Sequence, residues 1–191
     1  MPAPLKTEEL VNEATRRTLE LIDMGAYTPV ILIDGRAASG KSTLAEALQQ
    51  RLFAEGESLP RIVHMDDLYP GWDGLAAGSE YLMRNVLGPI ARGKKAEWQE
   101  FDWQLGERDR WREFGGGTPL IVEGCGALSK ASAEQCHLSI WLEVDEATRH
   151  ERWIARDGHK FDDYWPKWAA QELDFYAREQ SASLADLVGS N

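Results

Sequence analysis

The stretch Gly35-Arg-Ala-Ala-Ser-Gly40-Lys41-Ser42 constrains this chain more than any other. It follows a short, nearly continuous run of branched apolar residues, Val30–Asp34, which reads as a buried strand. A helix-like pattern follows over 42–54. Small residues between a strand and a helix let backbone N–H groups turn inward and form a nest for an anion. The N-terminus of the helix adds its own partial positive charge. The spacing fits G-x-x-x-x-G-K-[ST], the P-loop. Gly35, Ala37, Ala38, Ser39, Gly40, Lys41, Ser42 and Thr43 are therefore candidate nucleotide-binding residues. Lys41 can reach the β- and γ-phosphates, and the Ser42 hydroxyl can ligate Mg²⁺.

Apolar runs at 61–65, 119–124, 138–144 and 184–188 read as further strands. Helical patterns span 7–23, 79–91 and 161–178, and Asp145 caps another that runs to about Arg156. Alternation of strands and helices predicts parallel βαβ units. The expected fold is α/β: a P-loop NTPase three-layer sandwich, with a mostly parallel sheet and helices on both faces. One P-loop domain over 1–191 is expected, with an N-terminal helix at about 7–23.

Further carboxylates and cations extend the site. Asp66 and Asp67 stand just after the second strand, where ligands of parallel α/β sheets sit. A carboxylate there can take a proton from a hydroxyl or hold Mg²⁺ through water. Glu123 closes another strand and suits Mg²⁺ or its waters. Arg149, Arg152 and Arg156 are spaced to share one helical face, where they can meet an anion. Alternatively, Glu151 and Asp157 neutralise them as surface pairs. Seven of the eight tryptophans lie between Trp98 and Trp168; packing accounts for most of them, and a partly apolar substrate pocket or lid is the other reading.

The formal net charge of −11 argues against a nucleic-acid binder, which needs a basic surface. Cys125 and Cys136 form neither a CxxC pair nor a zinc site and read as reduced thiols. No run approaches the ~20 apolar residues that span a membrane. The first residues, MPAPLKTEEL, lack a secretory pattern, so a cytoplasmic location is expected.

The P-loop, DDLY (66–69), FDW (101–103), IVEG (121–124) and RHERWIARDG (149–158) occur in an order that resembles the uridine kinases and their pantothenate kinase and phosphoribulokinase relatives. The resemblance implies ATP and Mg²⁺ as cofactors and an ATP-dependent kinase acting on a hydroxyl of a nucleoside-like or other small metabolite. It implies Asp66 as catalytic base, Tyr69 and Asp102 as acceptor contacts, and Glu123 as a metal-supporting carboxylate. Arg152 and Arg156 match arginines of a lid, placed here at about 149–160, with Trp153 in place of a further arginine. Arg108 is taken as another acceptor contact. A His that reads the pyrimidine in that family is Gly106 here, so uridine is expected to be a poor acceptor. The expected partners are ATP and a small hydroxylated metabolite, without nucleic acid or membrane, and self-association into a homo-oligomer stays open. The competing reading is an ATP-binding regulator without turnover.

Overall fold

The computed structural model describes residues 4–190. The elements, in chain order, begin with α1 (Thr7–Asp23), β1 (Val30–Gly35), α2 (Lys41–Ala54) and β2 (Arg61–His64). There follow α3 (Leu75–Leu82), α4 (Gly88–Ala91), β3 (Ala96–Asp102) and β4 (Glu107–Phe114). The chain ends with β5 (Leu120–Glu123), α5 (Lys130–Ala133), β6 (Leu138–Glu143), α6 (Glu146–Asp157), α7 (Trp165–Glu179), α8 (Ser181–Leu184) and β7 (Leu187–Ser190).

Five strands form a parallel sheet in the order β2-β5-β1-β6-β7. Strands buried on both faces must be apolar on both, and these are. Val30, Leu32, Val63, Leu120 and Val122 pack to one side with Leu75, Leu82, Trp98, Trp168 and Phe175. Ile31, Ile33, Ile121, Ile140 and Leu142 pack to the other, against Leu10 and Ala14 of α1 and Leu44 and Leu48 of α2. The expected three-layer arrangement is the observed one.

The strand before the phosphate loop ends where only glycine fits. Gly35 has φ +150°, and a Cβ there would lie 2.6 Å from the Leu142 carbonyl oxygen. Asp145 caps α6 as expected by accepting from the Thr148 N–H at 2.9 Å. The segment at 149–160, expected as a lid, comprises most of α6 and the turn that follows it.

Three expectations need correction. The helix expected at 79–91 begins at Leu75 and passes through a π-turn over Met83–Leu87. Pro89 supplies the reason: it lacks an N–H and its ring crowds the carbonyl one turn back, so the ladder widens there. The last strand lies at 187–190 rather than 184–188, because Ser181–Leu184 forms a helical turn. Asp186 then accepts from both the backbone N–H and the hydroxyl of Ser139, which aligns β7 beside β6. Finally, 96–114 forms an antiparallel hairpin that apolar patterning does not reveal. Its second strand, ERDRWREF, is mostly charged. Ala96 and Trp98 anchor the hairpin in the core, and one Arg112–Glu100 ion pair at 2.7 Å ties its strands together.

Gly124 closes β5 against the neighbouring strand end. Its φ is +141°, and a Cβ there would stand 2.3 Å from that of Met65. Gly124→Ala should lower stability by about 1–3 kcal/mol, the range for overpacking a filled site. Urea unfolding checks this; an unchanged midpoint would contradict the packing described.

Candidate active site

A cleft of about 930 Å³ opens at the carboxyl ends of β1, β2 and β5. This is where a parallel sheet presents backbone amides and helix N-termini. Ala37, Ala38, Gly40, Lys41, Ser42 and Thr43 line one wall. Gly40 has φ +95° and Ala38 φ +61°, conformations that turn the peptide planes of the loop inward. Lys41 is the first residue of α2 and only 7% exposed. Its Nζ donates to the Arg36 carbonyl at 2.9 Å and lies 3.6 Å from Cys125 Sγ. Burial alone would lower its pKa, but Cys125, Glu123, Asp34 and Glu172 outweigh that and raise it. Lys41 therefore stays charged.

Gly35 and Ser39 take other places. Gly35 forms the root of the loop, and the buried Ser39 hydroxyl lies against it with no hydrogen-bond partner among the described residues. Asp34 anchors that root. It is wholly buried and accepts from the N–H groups of Gly35, Gly126 and Leu128 and from the Tyr176 hydroxyl, at 2.6–3.1 Å. Burial pushes its carboxyl up to about 6 against the pull of those donors. Neither Asp34 nor Tyr176 carries a motif; a charged residue closing an all-apolar strand was the one signal of it in the sequence.

The Ser42 hydroxyl donates to Glu123 Oε1 at 3.0 Å, so the two candidate metal ligands meet. His64 Nδ1 shares that oxygen at 2.6 Å, and the bond raises the His64 pKa. A hydroxyl and a carboxylate are hard oxygen donors of the kind Mg²⁺ takes alongside water and phosphate. These residues fit that ion.

Asp66 faces the same cleft. Its side chain is open to solvent, yet the enclosing walls and the Glu123 carboxylate raise its pKa. Trp103 fixes it from above, with Nε1–H donating to the Asp66 carbonyl at 2.9 Å. Asp67 is not among the lining residues. Arg152, Arg156 and Lys160 complete a cationic rim, with Arg156 also paired to Asp157 at 2.7 Å.

Other expected residues are placed elsewhere. Asp102 Oδ1 accepts from the N–H groups of Gln104 and Leu105 and so caps its own hairpin turn; Trp103 and Gln104 of that turn line the cleft, and Asp102 does not. Arg108 donates to the Gln99 and Leu68 carbonyls and stacks 3.5 Å from the Tyr81 ring centre. Tyr69 presents its ring, but its hydroxyl is spent on the Cys125 carbonyl at 2.7 Å. Arg149 turns inward instead of joining Arg152 and Arg156.

The far wall is aromatic. Trp72, Trp103, Trp153, Phe161 and Trp168 line it with Tyr69. Trp72 is the hub, with ring centres of Trp103, Phe161 and Trp168 at 5.1, 5.3 and 6.2 Å. Of the tryptophans near Asp102, only Trp103 takes part: Trp98 is core, and Trp111 is 67% exposed on the hairpin. A second cleft, of about 400 Å³, flanks the loop on the β6 side, lined by Arg36, Val144, Arg149, Gln180 and Ser183 among others.

No protein-family model matches the chain, and no curated protein matches it in sequence. Solved structures do resemble it. A possible uridine kinase from Bacillus stearothermophilus superposes with a TM-score of 0.68 at 21% identity, covering 95% of this chain and 98% of that one. A protein assigned as a fructose transport system kinase from Silicibacter gives 0.62 at 20% identity, covering 93% and 98%. A D-glycerate 3-kinase from Cryptococcus neoformans gives 0.55 at 13%, covering 90% and 88%. The chain thus has the P-loop kinase fold, in agreement with the resemblance read from its motifs.

Asp34→Asn replaces an acceptor oxygen with a donor in a site where donors converge on both oxygens. It should cost about 1–3 kcal/mol, the price of an unsatisfied buried group. Thermal or urea unfolding measures it, and wild-type stability would contradict the anchoring described.

Proposed function

We propose that the chain is an ATP-dependent kinase that transfers the γ-phosphoryl group to a hydroxyl of a small metabolite. The supporting observation is that one cleft gathers Lys41 and the phosphate loop, Asp66, and Arg152 with Arg156. A pure nucleotide sensor needs the first of these and not the others. ATP phosphates sit in the nest of Ala38 and Gly40 to Thr43, and Lys41 neutralises charge on the β- and γ-phosphates. Ser42 and Glu123 would hold Mg²⁺, which supplies further charge neutralisation on the phosphates. Asp66, open to the cleft, takes the proton of the attacking hydroxyl. Arg152 and Arg156 contact the phosphoryl group in transit, and closure of the later turns of the 149–160 segment over the cleft, with Arg149 staying packed, excludes water and limits ATP hydrolysis.

The acceptor is a hydroxylated metabolite with an apolar or planar face, because it meets the wall of Trp72, Trp103, Phe161 and Trp168. Recognition of a pyrimidine edge has no support here. Gly106 lies in the exposed hairpin turn, and the Asp102 carboxylate is committed to the same turn.

ATP consumption against a panel of small alcohols tests the reading. Lys41→Ala should abolish turnover, and Asp66→Asn should reduce it by about 10²–10⁴ while MgATP affinity changes little. Asp67→Asn should stay near wild type. Full activity of the Lys41 variant, or collapse of the Asp67 variant alone, would refute these roles. Uridine should give a kcat/KM below about 10⁴ M⁻¹s⁻¹, the lower end for typical enzyme–substrate pairs; steady-state kinetics decides it.

A further inference from the structure

One residue of the phosphate loop spends its backbone on the protein rather than on a ligand. The Ala37 N–H donates to Glu172 Oε1 at 2.6 Å, and its carbonyl accepts from Arg149 Nη1 at 3.3 Å. Glu172 and Arg149 are 1% and 3% exposed, and their charged groups approach to 4.0 Å. Arg149 belongs to the first turn of α6 and Glu172 to the middle of α7. Arg149 also donates from Nε to the Val144 carbonyl at the end of β6, and Cys125 Sγ donates to Glu172 Oε1. One helical turn beyond Glu172, Tyr176 holds Asp34 at the loop's root.

Burying two charged side chains is costly, and an apolar pair of similar volume would pack there without the penalty. Here the pair grips both polar groups of a single peptide residue next to the nest. The amides of a nest are like-oriented dipoles that repel one another when no anion is present. A loop of small residues also has much backbone entropy to lose.

We propose that Glu172 and Arg149 are positioning residues that hold the phosphate loop in its anion-receptive conformation through the backbone of Ala37. Neither lines the main cleft, and both act through the Ala37 peptide groups. The same helix that carries Arg152 and Arg156 into the cleft thereby carries the Arg149 half of the loop's brace, so seating of α6 and order in the loop rise and fall together. This deepens the kinase reading and rests on it only for the effect on nucleotide.

Amide hydrogen exchange in the nucleotide-free protein tests the brace directly. Glu172→Leu removes the acceptor, whereas Glu172→Gln keeps an oxygen for the Ala37 N–H and loses only the charge. The Leu variant should exchange about tenfold or more faster in the peptide spanning 36–40, while the Gln variant stays near wild type. Calorimetric titration with MgADP should show weakening of about tenfold or more in the Leu variant and recovery in the Gln variant. Arg149→Met/Glu172→Leu leaves no lone charge buried and replaces the single Leu variant if that one does not fold. Unchanged loop exchange in a folded Leu or double variant overturns the proposal, and so does equal loss in Leu and Gln. If loop exchange responds as stated but wild type binds no MgADP, the brace stands and the nucleotide reading fails.

Discussion

The structure depends on keeping a set of inward-turned amides together without help from a strand or a helix ladder. A phosphate loop has little internal hydrogen bonding, so its shape must be imposed from the elements around it. In this chain Asp34 takes the donors at the root, and Glu172 and Arg149 take the backbone of Ala37. Glycine at 35 lets β1 run flush against β6 before the loop begins. Lys41 then completes a buried group of charges that leaves it protonated and aimed at the cleft.

The phosphate loop was legible in the sequence because it is local. Strand, glycine spacing, lysine and helix follow one another within a short stretch, and each has a single physical role. Asp66 and Glu123 were legible for a related reason: a carboxylate just past a buried strand falls at the ligand-bearing edge of a parallel sheet. The aromatic wall of the cleft was not. Trp72 lies in a turn, and Phe161 and Trp168 sit around a helix start, so no period links them to Trp103. Their convergence is a product of tertiary packing.

The same distinction explains the misplacements. Asp102 reads as an acceptor contact when only its neighbours in the chain and the family resemblance are considered. The hairpin turn, which charge-rich β4 concealed, gives that carboxylate two backbone amides to satisfy first. Arg149 shares helical spacing with Arg152 and Arg156, yet α6 packs its first turn against the loop and opens only its later turns to the cleft. Helical periodicity groups residues by face; the depth to which each turn is sunk decides what they do.

The bond from Trp103 to the Asp66 carbonyl has a consequence for how such a protein diversifies. Every residue proposed to handle phosphate is built on the parallel sheet and its flanking helices, whereas the group that positions the proposed base, Asp66, is delivered by the tip of an antiparallel hairpin. That hairpin contributes few residues to the interior, chiefly Ala96 and Trp98. Its tip can therefore be lengthened, shortened or redecorated with little effect on the hydrophobic layers. On the kinase reading proposed above, acceptor preference is a detachable trait, free to drift while the machinery for the donor stays unaltered.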